Sequence, residues 1–562
     1  MKNYRKLTLV ATAFLGLANA ETATAFSLDD LFTQIRRGPG VDVGKCVGAT
    51  WVDYDNDGFL DLFAGNRGDN PGDGNFLYRN NGNGTFTRIT EGSVVTDRVR
   101  TVGGAWGDYD NDGFMDLFVG NYRDEQDFLY QNNGNGTFTK ITGGPLLTDF
   151  GSAGIGAWAD YDRDGFLDLF VPRISGSGRL YHNNGNGNFP DFKTFDANST
   201  EPGAAAWADF DNDGDPDLLV TALGSGKNTI FRNDGLSATK TVFTKFNDGV
   251  ISSEGGNSVS CAWGDYDNDG FLDLFIPNGT GHQASLQYTN FLYHNMGNGS
   301  FAKVSGSPVS DDRGDSYAAS WADVDNDGDL DLFVANGSDQ MSFFYLNNGD
   351  GTFTKVQEGA PLRPGKVSCI AWGDYDNDGF LDLFLTQYDY RGNLLFRNRT
   401  NGNHWLKLKL IGTVSNRSAL GAKVRVKATI GGTTYWQMRE INMNDGWSDV
   451  HLLAHFGLGQ ATNVETLRIE WPSGQVQELA NVPANQMLTL QEPPRLEPTV
   501  KALNGVVDLK VRGWKGFTYE IEGSSDLLSW QRLGTAQNLT GALQATDPEA
   551  GERQRFYRLV VP

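Results

Sequence analysis

A nine-residue motif that recurs seven times constrains the fold of this chain more than any other feature. Copies of Asp-x-Asp-x-Asp-Gly-x-x-Asp begin at Asp53, Asp108, Asp160, Asp209, Asp265, Asp323 and Asp374. Successive copies are 49 to 58 residues apart. Regular spacing of this length is typical of proteins in which one supersecondary unit is repeated and each unit completes its core against its neighbours.

Each motif lies between two predicted strands. The preceding stretch combines small residues with a tryptophan, as in GAWGDY, and the following stretch is apolar, as in LDLFAGN. Two further strands then meet at an Asn-Gly turn, as in FLYRNNGNGTF from residue 76. Four strands per repeat predict an all-β fold with a seven-bladed β-propeller over residues 27–402, because closing the ring removes the open sheet edges. The seventh repeat lacks a fourth strand, and we expect residues 31–35 to supply it.

The motif places carboxylates at positions 1, 3, 5 and 9 around one point, with a glycine at position 6 for the sharp turn. Clustered carboxylates repel one another unless a cation lies between them. Several hard oxygen ligands in a flexible loop suit Ca²⁺, whereas Mg²⁺ rarely uses an all-protein cage. An EF-hand is excluded because its position 12 requires Glu, while this chain has Ala64 and Val119 there and strands on either side. We therefore predict up to seven Ca²⁺ ions, one per blade.

The net charge of the chain and its N-terminal segment indicate where the protein acts and which partners it can bind. The formal net charge of −24 makes nucleic acid and anionic membranes poor partners. Residues 1–20 combine three cations, an apolar stretch and an Ala-Asn-Ala end, which predicts a signal peptide cleaved after Ala20. No later segment is apolar for long enough to cross a bilayer. We expect a secreted, extracellular or cell-surface monomer without a transmembrane segment, and its three cysteines read as buried small residues.

The repeats resemble the FG-GAP and VCBS repeats of integrin α-subunit propellers. That resemblance implies calcium ligation by the motif aspartates. The implied ligands are Asp53, Asp55, Asp57 and Asp61; Asp108, Asp110, Asp112 and Asp116; Asp160, Asp162, Asp164 and Asp168; Asp209, Asp211, Asp213 and Asp217; Asp265, Asp267, Asp269 and Asp273; Asp323, Asp325, Asp327 and Asp331; and Asp374, Asp376, Asp378 and Asp382. Asp215 and Asp329 add charge at position 7 of two copies, and Arg163 replaces an Asn at the non-ligand position 4.

Residues 403–492 have a different pattern, with alternating strands followed by HFGLG from His455 and WPSG from Trp471. These features resemble the ASPIC and UnbV domain of the cartilage acidic protein family. The family's Gly-Tyr-x-Ser-Gln segment differs here, where Gly446 to Asp449 read GWSD. A Pro-rich linker near residue 493 leads to a predicted small β domain over residues 493–562.

Catalytic motifs are not evident, and the variable loops offer candidate ligand contacts instead. His182 and His294 occupy a repeat position held elsewhere by Arg79 and Gln131, which favours exposed blade residues. The loops between the second and third strands should emerge opposite the Asp hairpins, and variable loops on a rigid scaffold commonly bind ligands. The candidate residues are Arg67, Tyr122, Arg123, Arg173, His282, Tyr288, Tyr388, Tyr390 and Arg391.

Two functions remain open from the sequence. The first is an adhesion or binding module for an extracellular protein or polysaccharide, without catalysis. The alternative is a polysaccharide-active, lyase-like enzyme built on a calcium-bearing propeller. Seven near-identical repeats without an acid-base set favour the binding module.

Overall fold

The computed structural model describes residues 27–560 except for several short gaps. The gaps are residues 69–73, 124, 149–150, 174–175, 197–201, 225, 238–239, 248, 280–287, 447, 450–451, 504–505, 513–517, 526–527, 538–541 and 548–555. The predicted signal peptide and His282 lie outside the described residues. The described chain is all-β, and its helices are single turns.

The chain begins with one helical turn and one strand before the first complete sheet. These are α1 (Leu28–Leu31), β1 (Phe32–Ile35) and the 3-10 turn Gly38–Gly40. Sheet 1 contains β2 (Cys46–Val52), β3 (Asp61–Asn66), β4 (Phe76–Asn80) and β5 (Phe86–Ile89). Sheet 2 follows α2 (Ser93–Thr96) and contains β6 (Thr101–Gly107), β7 (Asp116–Asn121), β8 (Phe128–Asn132) and β9 (Phe138–Lys140).

The next three sheets repeat the same antiparallel order. Sheet 3 follows α3 (Pro145–Thr148) and contains β10 (Ala157–Ala159), β11 (Asp168–Val171), β12 (Gly178–Tyr181) and β13 (Phe192–Phe195). Sheet 4 contains β14 (Pro202–Ala208), β15 (Asp217–Ala222), β16 (Thr229–Ser237) and β17 (Lys240–Phe246). Sheet 5 contains β18 (Ala262–Gly264), β19 (Asp273–Ile276), β21 (Phe291–Asn295) and β22 (Phe301–Lys303), while β20 (Tyr288–Thr289) pairs separately with β23 (Arg313–Gly314).

The last two sheets of the repeat region close it on itself. Sheet 6 follows α4 (Pro308–Asp311) and contains β24 (Ser316–Ala322), β25 (Asp331–Asn336), β26 (Phe343–Asn347) and β27 (Phe353–Val356). Sheet 7 follows the 3-10 turn Ala360–Leu362 and contains β28 (Val367–Gly373), β29 (Asp382–Gln387) and β30 (Leu394–Asn398). Strand β1 pairs antiparallel with β30 as the fourth strand of sheet 7, which confirms the pairing predicted for residues 31–35.

One asparagine per sheet ties that sheet to the preceding one. Its side-chain amide donates a hydrogen bond of 2.7 or 2.8 Å to a backbone carbonyl in the Asp-rich hairpin of the preceding sheet, which we call the Asp loop of that sheet. The donors Asn80, Asn132, Asn183, Asn233, Asn295, Asn347 and Asn398 pair, in that order, with the carbonyls of Tyr375, Tyr54, Tyr109, Tyr161, Phe210, Tyr266 and Val324. Because the first of these bonds joins sheet 1 to sheet 7, the series closes into a ring.

A second region, which we call the cap (residues 404–492), follows the ring. One of its sheets has the order β36-β31-β39 and the other β33-β32-β37-β38. The strands are β31 (His404–Ile411), β32 (Lys423–Ile430), β33 (Thr433–Glu440), β34 (Asn444–Asp445), β35 (Ser448–Asp449), β36 (Leu453–Gly459), β37 (Asn463–Glu470), β38 (Val476–Pro483) and β39 (Gln486–Gln491). The short strands β34 and β35 form a hairpin that joins sheet 7 rather than either cap sheet.

The chain ends in two three-stranded sheets with the orders β40-β41-β44 and β43-β42-β45. Their strands are β40 (Arg495–Leu503), β41 (Val506–Arg512), β42 (Thr518–Ser524), β43 (Gln531–Gln537), β44 (Ala542–Asp547) and β45 (Phe556–Val560). None of the helices in the described part of the chain is long and apolar enough to cross a membrane. The cysteines Cys46, Cys261 and Cys369 are buried, and none of these three forms a disulfide.

The asparagine ties predict how the ring responds to mutation. Asn80→Ala removes the bond from sheet 1 to the Tyr375 carbonyl and leaves that buried carbonyl without its donor. We expect the free energy of unfolding to fall by roughly 1–3 kcal/mol. Asn81→Ala is the matched control, because Asn81 is exposed and bonds only within its own turn. Urea unfolding followed by tryptophan fluorescence measures both variants, and equal losses would contradict this role for Asn80.

Candidate metal sites and the surface opposite them

The nine-residue motifs form seven hairpin loops, which we number loop 1 to loop 7 from the N-terminus. Position 1 follows the first strand of each sheet and position 9 opens the second strand. In loop 2, the Gly113 amide donates to the Asp108 carboxylate at 2.9 Å, and the Phe114 amide donates to the Asp112 carboxylate at 2.8 Å. Gly113 has a φ of +97°, a backbone conformation that side chains disfavour, which explains the invariable glycine at position 6.

The carboxylates of a loop converge as the motif predicts. In loop 1, oxygens of Asp53, Asp55 and Asp57 lie within 4.8 Å of one another, and loop 2 has the same grouping of Asp108, Asp110 and Asp116. Grouped carboxylates are common on proteins without a bound ion. Whether their oxygens are buried and lack hydrogen-bond donors is therefore the better evidence for a metal site.

Several buried oxygens in these loops have no hydrogen-bond partner. They are one carboxylate oxygen each of Asp53, Asp160, Asp162, Asp211, Asp265 and Asp376. Burial, reinforced by the neighbouring carboxylates, raises the pKa of Asp61 to about 8 and that of Asp116 to about 9. A hard cation would accept these buried oxygens as ligands and would favour the charged form of the carboxyl groups. The residues present therefore fit a divalent ion.

The third strand of most sheets places one polar side chain over its own loop. Arg79 Nε is 2.6 Å from the Asp55 carboxylate, and Gln131 donates to Asp110 at 2.6 Å. His182 Nδ1 lies 3.1 Å from Asp168, and His294 Nδ1 lies 3.2 Å from Asp273. The sequence analysis treated the two histidines as exposed blade residues, whereas each is only partly exposed and directed at a loop.

The side chain at position 4 links each loop to the next one. Asn56 donates to the Gly113 carbonyl at 2.9 Å, and Asn377 of loop 7 donates to the Gly58 carbonyl of loop 1 at 2.9 Å. All seven residues at position 4 have a φ between 56° and 59°, a left-handed conformation that asparagine tolerates. Arg163 occupies this position in loop 3, and its Nε bonds the Asp215 carboxylate of loop 4 at 2.6 Å. Two of the three departures from the repeat, Arg163 and Asp215, therefore form one ion pair, while Asp329 accepts a hydrogen bond from Asn268.

The cap covers the loops and directs basic side chains at their first aspartates. This arrangement had no signal in the sequence analysis. The pairs are Lys409 with Asp53 (3.4 Å), Arg417 with Asp108 (3.8 Å), Lys423 with Asp209 (2.8 Å) and Lys407 with Asp374 (2.5 Å). The Lys407 and Asp374 side chains are each only 1% exposed, so this pair is fully withdrawn from water.

Arg439 serves loops 5 and 6 together. It is partly buried and lies close to Asp265 and Asp323, whose charges oppose the lowering of its pKa by desolvation. The HFGLG segment also meets loop 6, where the Gly457 amide donates to Asp323 at 3.0 Å. A Cβ on Gly457 would lie 2.1 Å from that carboxylate and 2.4 Å from the Asn326 Cα, so only glycine fits there.

The β34–β35 hairpin reaches the first strands at the centre of the ring. Strand β35 pairs parallel with β28 through Asp449 and Ala371, and the hairpin also contacts β2, β14 and β24. These strands belong to sheets 7, 1, 4 and 6, which can meet only near the ring axis. Gly446 turns the hairpin with a φ of +66°, and a Cβ there would lie 2.6 Å from the Ser260 Oγ. Gly446, Ser448 and Asp449 therefore lie near the ring axis on the loop side.

The opposite side of the ring brings several of the predicted ligand contacts together. The Arg67 guanidinium lies 3.5 Å from the centre of the Tyr122 ring and 5.6 Å from that of Tyr388. Lys45 Nζ lies 5.0 Å from the Tyr388 ring and 5.6 Å from the Tyr390 ring. The sequence analysis did not single out Lys45, although it directly precedes the first strand of sheet 1.

The other predicted contacts lie elsewhere or already have partners. The Arg123 guanidinium is 5.9 Å from the Tyr122 ring, and Arg391 forms ion pairs with Asp339 and Asp389. Arg173 differs from the prediction of a surface residue, because its side chain is 4% exposed and bound to Asp127 at 2.6 Å. Tyr288 is partly buried and belongs to the small β20–β23 pair.

Repeated four-stranded sheets with a potential metal site in their hairpins define an all-β repeat protein. The family model described as FG-GAP-like repeat matches residues 53–119, 108–171, 160–220, 209–276, 283–334 and 323–385. These matches cover more than half of the chain, which therefore belongs to the FG-GAP-like repeat family. The model described as ASPIC and UnbV matches residues 412–497, within and just beyond the cap.

The chain is also similar to curated relatives named cartilage acidic protein 1. The human protein is 28% identical over 304 residues, which are 49% of this chain and 43% of the relative. The mouse protein is 29% identical over 290 residues, which are 48% of this chain and 42% of the relative. The chain thus spans less than half of the length of these relatives.

The buried pair between cap and loop 7 yields a prediction. Lys407→Met leaves the Asp374 carboxylate buried without its cation, and we expect a loss of about 3–5 kcal/mol in the free energy of unfolding. Lys409→Met is the matched control, because Lys409 is 35% exposed and 3.4 Å from its aspartate, so its pair should contribute less than about 1 kcal/mol. Chemical denaturation of both variants measures the difference, and an equal loss would show that the buried pair has no special role.

The Arg163–Asp215 pair yields a second prediction. Arg163→Ala leaves the Asp215 carboxylate without its partner and should lower the free energy of unfolding by about 1–2 kcal/mol. The double variant Arg163→Asn with Asp215→Phe recreates the arrangement of loops 1 and 2 and should recover most of that loss. Thermal unfolding of the parent protein, Arg163→Ala and the double variant tests this. A double variant less stable than Arg163→Ala would show that the ion pair does not replace the Asn and Phe of loops 1 and 2.

Proposed function

We propose that this chain is a secreted, calcium-binding, seven-bladed β-propeller that acts as an adhesion or binding module for an extracellular protein or polysaccharide. The observation that supports the proposal most is that the cap covers one side of the ring and leaves the described residues of the other side accessible. The cap covers the Asp loops on one side, whereas on the other side, within the described part of the chain, the side chains of Arg67 and Tyr122 pack against residues of the ring and not of the cap. A ligand therefore has access to the side that carries the aromatic and basic residues.

The proposed domains follow the breaks between these regions. They are a signal peptide over residues 1–20, the propeller over residues 27–402, the ASPIC and UnbV domain over residues 403–492 and a small β domain over residues 493–562. The last strand of the ring ends at Asn398 and the first cap strand begins at His404, which supports the second boundary. We propose a monomer outside the cell.

Calcium is proposed to bind in the seven loops through the aspartates at positions 1, 3, 5 and 9. A bound Ca²⁺ would supply the positive charge that the buried carboxylates lack. The chain's own residues prepare each site, since backbone amides orient the position 1 carboxylate, as in loop 2. The unpartnered oxygens of Asp53 and Asp265 support this assignment. A role in stability follows, because each loop joins two strands and bonds to the next loop.

A binding module fits the comparisons better than the lyase-like enzyme does. The family models and the relatives carry names that point to no catalytic activity. The partly buried His182 and His294, where acid-base chemistry could be sought, are directed at the metal loops.

Metal removal tests the calcium proposal. A site at tenfold excess of Ca²⁺ over its dissociation constant stabilises the folded state by about 1.4 kcal/mol. We expect chelator to lower the melting temperature and millimolar Ca²⁺ to restore it. Asp116→Asn should reduce the bound calcium by one ion in elemental analysis, whereas Asp350→Asn should not, because Asp350 lies in an exposed turn. An unchanged melting temperature and no bound metal would overturn the proposal.

A ligand panel tests the binding function. The purified protein is passed over immobilised matrix proteins and polysaccharides in millimolar Ca²⁺, and both its retention and the release of soluble products are scored. Retention without products is the expected result. Released oligosaccharides would make the protein an enzyme, and no retention on any member of the panel would refute the proposed binding function.

A further inference from the structure

We propose that the open side of the ring holds an acidic polysaccharide by one of its carboxylate or sulfate groups, with Arg67 as the anion-binding residue. The inference rests on the proposed binding function and names the chemistry of its ligand. The site is the cluster of Lys45, Arg67, Tyr122, Tyr388 and Tyr390, which we call the Arg67 cluster.

The cluster lies at the centre of the ring. Lys45 and Arg67 flank strands of sheet 1, Tyr122 follows the second strand of sheet 2, and Tyr388 follows the second strand of sheet 7. The buried Tyr317 of sheet 6 is also close to the cluster. Burial raises the pKa of its hydroxyl, and Arg67, Tyr388 and Tyr122 are near enough to affect that pKa as well. Sheets 2 and 6 are not neighbours, so their side chains can approach the same arginine only across the ring axis. Several sheets therefore build one site.

Arg67 is held in place without using its hydrogen-bond donors. Its guanidinium stacks on the Tyr122 ring at 3.5 Å and lies 5.6 Å from the Tyr388 ring. Among the described residues, no carboxylate forms an ion pair with it and no side chain accepts a hydrogen bond from it. A guanidinium fixed through its face presents a planar edge of N–H groups, which matches a carboxylate or sulfate in two parallel hydrogen bonds.

Acidic side chains of the described surface nearby already have cationic partners. Glu125 binds Arg100 at 2.6 Å, and Asp389 binds Arg391 at 2.7 Å. Arg67 therefore differs from these arginines in having its charge available to a ligand. Because the whole chain is strongly acidic, an anionic ligand should be attracted only where such cations gather.

The backbone around the cluster is strained at two bulky residues. Arg123 and Tyr390 both have a φ of 60°, a conformation that is uncommon for side chains of this size. Strain of this kind is concentrated at binding and active sites. Both residues border the cluster, since Arg123 approaches the Tyr122 ring and Tyr390 approaches Lys45.

The tyrosines favour a sugar over an acidic peptide. Tyr390 is 39% exposed and Tyr388 is partly exposed, so their rings offer apolar faces against which the C–H groups of a pyranose can pack. A saccharide that carries an anionic group satisfies both the arginine and the rings.

The test compares binding of the full chain to four immobilised polymers in millimolar Ca²⁺. Heparin carries sulfates and carboxylates, hyaluronan carries carboxylates only, dextran is neutral, and polyglutamate is a polyanion without sugar rings. We expect binding to heparin, hyaluronan or both, with little binding to dextran or polyglutamate. Arg67→Gln should weaken this binding at least about tenfold, and Arg67→Lys should also weaken it because an ammonium lacks the planar edge.

Arg100→Gln is the matched control, since it removes a cation that precedes the first strand of sheet 2, on the same side of the ring, and that is already paired with Glu125. It should change binding less than about twofold. Lys45→Gln provides a second test of the cluster if Arg67→Gln lowers the melting temperature, and it should weaken binding as well.

Three results would overturn the inference. They are equal binding by Arg67→Gln and the parent protein, equal binding to dextran, and equal or stronger binding to polyglutamate through Arg67, which would assign the site to an acidic peptide. Retention on a matrix protein through a surface independent of Arg67 would sink this inference but leave the proposed binding function standing. Absence of retention on every polymer and matrix protein would refute both.

Discussion

The architecture depends on the hydrogen bonds that connect each Asp loop to the next. In six loops the side chain at position 4 donates to the glycine carbonyl of the following loop, and Asn377 closes the series on Gly58; in loop 3, Arg163 bonds the Asp215 carboxylate instead. Together with the asparagine ties between sheets, these bonds fix all seven acidic loops side by side at one end of the ring. A set of aspartates so confined needs positive charge. The basic side chains over several of the loops and the basic face of the cap supply part of that charge, and the proposed metal ions would supply more.

The sequence predicts the repeat region well because its signals are local and recur. Each of the first six four-stranded units is formed by one continuous stretch of the chain, and successive motifs are 49 to 58 residues apart, so composition, turn residues and motif spacing all indicate the same repeating unit. Even the distant pairing of β1 with β30 could be predicted, because the residues before sheet 1 align with the fourth strand of other repeats. Arg163 and Asp215 could have been linked by the same alignment, since both departures fall on the contact between adjacent loops.

The position of the cap could not be predicted in this way. Its contacts join residues that are hundreds of positions apart, as with Lys409 and Asp53, and they occur once each. In β31, Lys407 alternates with leucines, a pattern typical of a strand with one solvated face, yet the lysine is buried against Asp374. The pattern is correct about the strand but does not show that its polar face meets a second acidic surface. His182 and His294 were misread for the same reason, because only the folded sheet places them over a loop.

The glycines of the cap show how its short motifs serve docking. Gly457 of HFGLG approaches loop 6 so closely that a Cβ would overlap the Asp323 carboxylate, and Gly446 turns a hairpin against the first strands of the ring. Gly457 lies in the extended strand β36, where the backbone alone would admit another residue, whereas Gly446 is also required by the positive φ of its turn. The cost of these glycines in conformational freedom is offset by contact with the ring. The motifs that distinguish the cap in the sequence are therefore largely its contact surface with the ring, which leaves the opposite side, with Arg67 and its tyrosines, as the side from which a ligand can approach.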